Sequence, residues 1–293
     1  PFLGVAWLDG YRQARIVEVL DSRHDWSLAD TQTLQMDQTS ILWRELRDVV
    51  LAMPTEVNEA RRGVDLLATW DGVVSADSPA AAVFECFVAE MTRRIVESKA
   101  PNAAAWAMGK SAVPLMARSL ISLRRLGHLS RLMREQPEGW FAQGWPQEMA
   151  DALAQTVRTL EAQHGDVVAR WAWGRVRPLT LQHAVGGRAP LDKIFNLGPF
   201  PWGGDACTVA QAAVNLSNPE ANPIFVASLR MVVDVGNWDE SRFILPSGQS
   251  GNPLSPHYDD QFSLWQRGEG VSIAWSRAKV DEVALDVLRL MPK

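Results

Sequence analysis

Apolar residues recur at the spacing of one helix face from about residue 7 to residue 165, and this period predicts a helical first half. The segment GYRQARIVEVL shows the pattern, since Tyr11, Ala14 and Val17 recur every three residues along one side of a helix. Charged and amide side chains occupy most of the other positions. The segment is therefore predicted to be a helix with one face to bury.

Capping signals mark where further helices begin. Ser27, followed three residues later by Asp30, is typical of a capping box and predicts a helix that continues to Pro54. Ser78 before Pro79 predicts the start of another helix, because Pro suits the first helical position. Helical periods also cover residues 113–132 and 146–164.

The pattern changes after Trp171, where Gly, Pro and Asn become frequent and short β-prone runs appear. These runs are RPLTLQHAV, CTVAQAAVN, FVASLRMVVDV, SRFIL and GVSIAW. The third and fourth, joined by a turn over residues 236–240, predict a β-hairpin. A closing helix, SRAKVDEVALDVLRL, is predicted from Ser276. The patterns together predict an α+β fold, with a helical block between a short N-terminal piece and a strand-rich C-terminal piece.

Composition narrows the possible partners. The 293 residues are 47% hydrophobic, which is enough for a large core, and no run of about 20 apolar residues predicts a membrane span. The net charge of −5 comes without long runs of one sign, so neither nucleic acid nor an anionic membrane surface is an expected partner. Cys86 and Cys207 are too few for a disulfide framework or a structural zinc site. The 13 Trp are expected mostly in the core.

The first residues read PFLGVAWLDG, with no Met, no basic segment and no apolar signal-peptide core. A processed or truncated product is expected to begin in this way. The sequence therefore leaves the compartment open.

The loop LPSGQSGNPLSPHYDDQ, over residues 245–261, invites comparison with catalytic motifs. A nucleophile elbow has Gly at the fifth position, where this chain has Asn252, and the following Pro253 blocks the helix that the elbow requires. Ser250 is therefore not expected to be a triad nucleophile. His257 has two acids nearby but no second His at ligand spacing, so turn and capping roles are expected instead of a metal site.

No other motif in the sequence predicts a catalytic, metal-binding or phosphate-binding site. The remaining His residues are scattered, and the glycine turns VGGR and WGGD lack the length and the Lys of a phosphate-binding loop. From the residues alone, the sequence predicts a globular α+β protein of unassigned function.

One long stretch reads FVASLRMVVDVGNWDESRFILPSGQSGNPLSPHYDDQFSLWQRGE. It closely resembles the C-terminal signature of the penicillin amidase (penicillin acylase) family. The matching residues are Ser228, Arg230 to Asp234, Trp238, Ser241, Pro246, Gly248 to Pro253, Ser255 to Tyr258, Asp260 and Gln261. Residues 171–209 and the GYRQARIVEVL segment are also similar to family segments. The resemblance therefore covers essentially the whole chain.

The resemblance implies a fold and an activity. The expected fold is the C-terminal portion of the αββα sandwich of N-terminal nucleophile hydrolases, with a mainly helical inserted block. Residues 1–21 would hold a helix of the sandwich core, residues 22–170 the helical block, and residues 171–293 the strand-rich part with its closing helix. The implied activity is hydrolysis of a penicillin, another N-acyl amide or an acyl-homoserine lactone.

The family uses the N-terminal Ser or Cys of a self-cleaved β chain as its nucleophile, whose own α-amine serves as base. Because this chain starts with Pro1, the resemblance places the nucleophile outside it. The other open reading is a non-catalytic helical interaction module that has lost the nucleophile portion.

The resemblance also implies roles for four residues. Arg12 matches a family Arg that supports self-cleavage and substrate orientation, a role that suits the fixed donor geometry of a guanidinium. Phe2, Leu3 and Trp7 would form part of an acyl-pocket wall, with plain core packing as the alternative. The 248–253 segment GQSGNP is expected to be a structural loop.

Partners and cofactors follow from the same resemblance. The expected partners are the remaining α and early β segments of one precursor and a small N-acyl substrate. No cofactor is expected, and calcium, which some relatives bind, finds no matching acid near Pro1. A periplasmic or secreted location is implied.

Overall fold

The computed structural model describes residues 7–109 and 126–292. The helices are α1 (Tyr11–Leu20), α2 (Leu28–Gln35), α3 (Ile41–Leu51), α4 (Asn58–Ala68), α5 (Pro79–Lys99), α6 (Ala104–Ala107), α7 (Leu126–Glu135), α8 (Trp145–His164), α9 (Trp173–Val176), α10 (Asp192–Phe195), α11 (Phe262–Arg267) and α12 (Arg277–Val283). The strands are β1 (Leu179–Leu181), β2 (Leu197–Phe200), β3 (Arg230–Val232), β4 (Arg242–Ile244) and β5 (Val271–Ser272). None of the helices in these two ranges is long and apolar enough to cross a membrane.

The chain divides into two compact units. Unit 1 comprises residues 1–22 and 37–226, and unit 2 comprises residues 23–36 and 227–293. The boundaries proposed from the sequence at 21/22 and 170/171 follow the family resemblance and stay a prediction.

The core of unit 1 forms around α5, whose 21 residues are buried along most of their length. Helices α4, α8 and α9 pack against it. Trp43, Trp70 and Phe84 form an aromatic cluster with ring centroids 5.2 to 5.4 Å apart. The apolar first half thus folds as the helical block that its period predicts.

Local capping signals explain the ends of several helices. Ser27 and Asp30 form the predicted capping box at α2. Ser78 caps α5, with its hydroxyl accepting from Ala81 N at 3.1 Å. Both confirmed caps are local, because each joins two residues that are three positions apart in the sequence.

The single helix predicted from residue 27 to Pro54 is wrong, because two helices, α2 and α3, occupy that stretch. Asp37 interrupts the helix by accepting a hydrogen bond from Thr39 N at 2.9 Å, a local turn. Ser40 then caps α3 by accepting from Trp43 N at 3.1 Å.

The helix predicted over 146–164 is confirmed as α8, which ends before Gly165. Of the helix predicted over 113–132, residues 113–125 lie outside the described residues, and α7 covers the remainder. Gly63 of α4 packs on α8, where Leu153 is fully buried.

Unit 2 contains the predicted hairpin. Strands β3 and β4 pair antiparallel with Met231 opposite Phe243, and β5 adds to β4 with Val271 opposite Phe243. Arg230 ties α11 to this sheet, because its Nη1 donates to Trp265 O at 2.6 Å and its guanidinium lies 4.7 Å from that indole ring.

Of two other strand predictions, both in unit 1, one is confirmed and one is wrong. RPLTLQHAV contains β1, which pairs antiparallel with β2. CTVAQAAVN forms no strand beyond a single bridge between Ala212 and Val226, so this prediction is wrong. Its backbone is instead held by buried polar side chains described below.

The closing helix begins after Ser276 as predicted but ends at Val283, where the backbone becomes extended. The residues that follow form an exposed apolar tail, defined as residues 284–292. Its exposed members are Leu285 (97%), Val287 (86%), Leu288 (85%), Leu290 (83%) and Met291 (74%).

Substituting Gly63 by Ala tests the packing of α4 on α8. The added Cβ would lie 2.7 Å from Leu153 Cγ, and such overpacking costs about 1–3 kcal/mol. The helix-propensity gain of about 1 kcal/mol offsets only part of this cost. We expect Gly63→Ala to lower the free energy of unfolding by about 1 kcal/mol, measured by urea denaturation. Asp65→Ala, on the exposed face of the same helix, is the control, and equal stability of both variants would contradict this packing.

Candidate functional site

Helix α1 is anchored by its first residue. Tyr11 is buried, and its hydroxyl donates to Glu45 Oε2 at 2.8 Å, where Ser130 Oγ also donates at 2.6 Å. Burial and the bond to Glu45 raise the pKa of Tyr11, so it stays a neutral donor. Because each helical residue turns the side chain by about 100°, this anchor directs Arg12 toward a different neighbour.

That neighbour is the segment 206–211, which follows the glycine turn WGGD. Arg12 Nη1 donates to Gln211 Oε1 at 3.2 Å. Arg12 Nε is buried without a hydrogen-bond partner, and no acid of the described residues lies within salt-bridge distance of this guanidinium. Burial lowers the pKa of Arg12, although an arginine remains a cation at neutral pH. The site therefore holds a half-buried positive charge that forms no salt bridge with an acid in the part of the chain that the structure describes.

Arg15, one turn further along α1, differs from Arg12 because acidic side chains contact its guanidinium. Its Nη2 lies 2.7 Å from Asp37 Oδ2, and Glu18 contacts its Nη1 at 3.2 Å. The hydrogen bond to Asp37 is the main cause of its raised pKa. Arg15 is thus a charge-compensated structural residue, whereas Arg12 is not.

A cavity of about 670 Å³ lies beside Arg12. Its apolar lining includes Trp7, Leu8 and Ile16, and its polar lining includes Asp9, Arg12 and Gln211. The Asp9 carboxylate accepts from Leu126 N at 2.8 Å and makes no salt bridge with Arg12. Trp7 lies on the rim of the cavity and is 63% exposed. A cavity with one apolar wall and one cationic donor suits a molecule that has an apolar chain and a polar oxygen.

Sequence reasoning brings Trp7 and Arg12 together, and the structure places both on this cavity. Phe2 and Leu3, the other two predicted wall residues, lie outside the described residues. The roles of all four residues remain predictions at this point.

A buried charge cluster, defined as Glu85, Arg177 and Asp205, supports the segment that carries Gln211. Arg177 is fully buried and donates to Gly204 O at 2.7 Å and to Ala212 O at 3.1 Å. Asp205 Oδ1 accepts from the backbone N–H groups of residues 207 and 208, at 2.6 and 2.7 Å. These bonds fix both ends of the segment.

The protonation states of this cluster follow from burial and proximity. Burial, and then the proximity of Asp205, raise the pKa of Glu85 well above its usual value, which favours its protonated, neutral form. Burial lowers the pKa of Arg177 to about 10, and the two acids oppose that shift. Arg177 remains a cation near neutral pH, and its charge is attracted by both acids within the core.

Sequence reasoning missed this cluster. The available signal was Glu85 itself, a single acid within the apolar run AAAVFECFV, because acids are rarely fully buried unless they are paired. Burial also raises the pKa of Cys207, so its thiol stays protonated beside the cavity. Among residues 7–109 and 126–292, no three His, Cys, Asp or Glu side chains are placed to hold a metal ion.

The loop over 245–261 makes the contacts of a turn. Ser250 Oγ accepts from Asn252 N at 3.1 Å, and the backbone N–H of Ser250 donates to His257 O at 3.0 Å. Gln261 Oε1 accepts from Leu245 N at 3.0 Å and joins the two ends of the loop. A Cβ at Gly248 would overlap the His257 carbonyl, so this close approach needs glycine.

Three comparisons place the chain among known proteins. The sequence profile described as penicillin amidase matches residues 2–282. The acyl-homoserine lactone acylase QuiP of Pseudomonas aeruginosa is 27% identical over 315 residues, covering 96% of this chain and 36% of that protein. The penicillin acylase 2 proenzyme of Pseudomonas sp. strain SE83 is 28% identical, covering 96% of this chain and 35% of that protein.

A solved structure, the thermostable penicillin G acylase from Alcaligenes faecalis, matches 98% of this chain and 53% of its own with a TM-score of 0.60 at 17% identity. That likeness confirms the predicted fold class. The chain spans about a third of the length of the curated relatives that it matches.

The protonated state of Glu85 has a consequence for stability. An acid whose pKa is raised in the folded state stabilises below its unfolded pKa of about 4.3 and loses that contribution as pH rises toward the folded value. A Gln donates to Asp205 as protonated Glu85 does but does not ionise when unfolded. We expect the stability of Glu85→Gln relative to wild type to grow with pH, by up to about 1.4 kcal/mol per pH unit above pH 4.5.

Urea denaturation of both proteins between pH 4.5 and 7.5 measures this difference. Glu138→Gln, at an exposed position, is the matched control and should show no such trend. A Glu85→Gln difference that stays flat with pH would contradict the protonated assignment.

Proposed function

This chain belongs to the penicillin amidase family, and we propose that it forms the C-terminal β-chain portion of an amide-bond hydrolase that acts on N-acyl substrates. The names of its relatives, a penicillin acylase and an acyl-homoserine lactone acylase, support this substrate class. In the proposal, the nucleophile is an N-terminal Ser or Cys outside this chain, and the remaining α and early β segments of the same precursor complete the site.

One observation carries the proposal: the uncompensated guanidinium of Arg12 faces a cavity with an apolar wall. Within the chemistry that the family resemblance implies, an acyl-enzyme forms and breaks on the nucleophile. Arg12 would donate an N–H to a carbonyl or carboxylate oxygen of the substrate and hold it in a fixed orientation. Trp7, together with Phe2 and Leu3, would contact the acyl chain and exclude water from it.

A periplasmic or secreted location remains part of this proposal. Intact-mass measurement of the purified native protein decides whether further polypeptides accompany the 32.5 kDa chain. Companion chains, one with N-terminal Ser or Cys, are the expected result. A folded chain alone would favour the non-catalytic interaction module.

Removing Arg12 tests the proposed role directly. A hydrogen bond to a charged group is worth about 1.5–3 kcal/mol, which corresponds to roughly 10- to 100-fold in rate. We expect Arg12→Ala in the complete protein to lower kcat/KM by that factor, or to impair self-cleavage, without loss of thermal stability. Release of free amine from N-hexanoyl-homoserine lactone and from penicillin G measures activity, and denaturing gels measure cleavage.

Arg47→Ala is the control for that experiment, because Arg47 is an exposed residue of α3 away from the cavity. Normal cleavage and normal turnover in Arg12→Ala would exclude the proposed role.

Replacing Trp7 by Ala tests the acyl wall. Because Trp7 is 63% exposed, its loss should leave the unfolding temperature unchanged. Losing the apolar contact should raise KM for a hexanoyl substrate about tenfold, with a smaller effect on an acetyl substrate that barely reaches the wall. An equal effect on both substrates would exclude Trp7 as an acyl contact.

A further inference from the structure

The side-chain amide of Gln211 joins Arg12 to the segment beside it. Gln211 Nε2 donates to Ala206 O at 3.1 Å, and Gln211 Oε1 accepts from Arg12 Nη1 at 3.2 Å. A carbonyl oxygen only accepts and a guanidinium only donates, so these two partners fix which end of the amide faces Arg12.

The backbone that carries Gln211 is itself rigidly held. Ala210 N donates to Asp37 O at 2.9 Å, and Ala212 N donates to Asp205 O at 2.8 Å. Arg177 holds the carbonyl of Ala212 from the buried side. Gln211 therefore presents its oxygen from a fixed backbone, and the position of that oxygen constrains Arg12.

Gln211 is a neutral partner, and this neutrality determines how much of the Arg12 charge remains for a ligand. An arginine on the same helix, Arg15, meets the carboxylate of Asp37, which positions it and compensates its charge. Gln211 gives Arg12 an acceptor of similar geometry without a negative charge. The guanidinium is thus oriented while its charge remains available to another group.

We propose that Gln211 is a positioning residue that orients Arg12 and, by being neutral, keeps its charge available for the carbonyl or carboxylate oxygen of a ligand. This rests on the role of Arg12 under the proposed function. The arrangement favours ligands that present a carboxylate or a carbonyl beside an apolar chain, and it disfavours cationic groups at that position.

Two variants of the complete protein test separately whether Gln211 orients Arg12 and whether its neutrality is required. Gln211→Met keeps the length of the side chain and removes both hydrogen bonds. Gln211→Glu keeps an acceptor for Arg12 and adds a charge that compensates it, as Asp37 does for Arg15. Gln155→Met, on the exposed face of α8, is the matched control.

Gln211→Met should lower kcat/KM for N-hexanoyl-homoserine lactone roughly tenfold, because Arg12 loses its fixed orientation. A double-mutant cycle identifies the route. If Gln211 acts through Arg12, adding Gln211→Met to Arg12→Ala should cause no further loss beyond about twofold. Full additivity of the two losses, or wild-type kcat/KM in Gln211→Met, would overturn the positioning role.

Gln211→Glu tests neutrality through the binding of hexanoate, a carboxylate with an apolar chain. Its dissociation constant, measured by calorimetry, should rise roughly tenfold in Gln211→Glu, while crystal structures should show the Arg12 guanidinium in its wild-type place. Unchanged hexanoate affinity would overturn the requirement for a neutral partner.

Failure of the proposed function is distinguishable from failure of this inference. If the wild-type complete protein hydrolyses neither amide, the proposed function fails, and hexanoate affinity and the crystallographic position of Arg12 still decide the inference. A guanidinium that moves in Gln211→Met but not in Gln155→Met supports it, and an unmoved guanidinium overturns it.

Discussion

The buried charge cluster of Glu85, Arg177 and Asp205 is the constraint on which the site in unit 1 depends. An unpaired ion in an apolar core costs several kcal/mol, so Arg177 and Asp205 need the backbone groups that they bind. Those backbone groups belong to the segment 204–212, which has almost no strand hydrogen bonds of its own. The cluster holds that segment together with the backbone bonds from Gly204 N to Val74 O and from Ala210 N to Asp37 O.

The consequences of this constraint extend outward to the surface of unit 1. The segment fixes Gln211, Gln211 fixes one nitrogen of Arg12, and Tyr11 fixes the start of the helix that carries Arg12. The cavity wall is therefore determined by residues that lie far from it in the sequence. These hydrogen bonds hold Arg12 in one orientation, which favours a preorganised site.

The sequence predicted the parts of this arrangement that depend on near neighbours. The caps at Ser27 and Ser78 are local and were confirmed, as were the hairpin and the α+β class. The resemblance, confirmed as family membership, directed attention to Arg12. What the sequence could not supply was Gln211, because it lies 199 residues from Arg12 and nothing local marks the pair. CTVAQAAVN was mistaken for a strand because β propensity reflects side chains, whereas tertiary hydrogen bonds determine its backbone here.

The exposed apolar tail at residues 284–292 has a practical meaning for handling the chain. Only Asp286 and Arg289 interrupt its apolar side chains, and such isolated charges act as gatekeepers against self-association. The net charge of −5 at pH 7 adds a repulsion between neighbouring copies that high salt screens, so concentrated stocks of the chain are best kept near neutral pH and at low ionic strength.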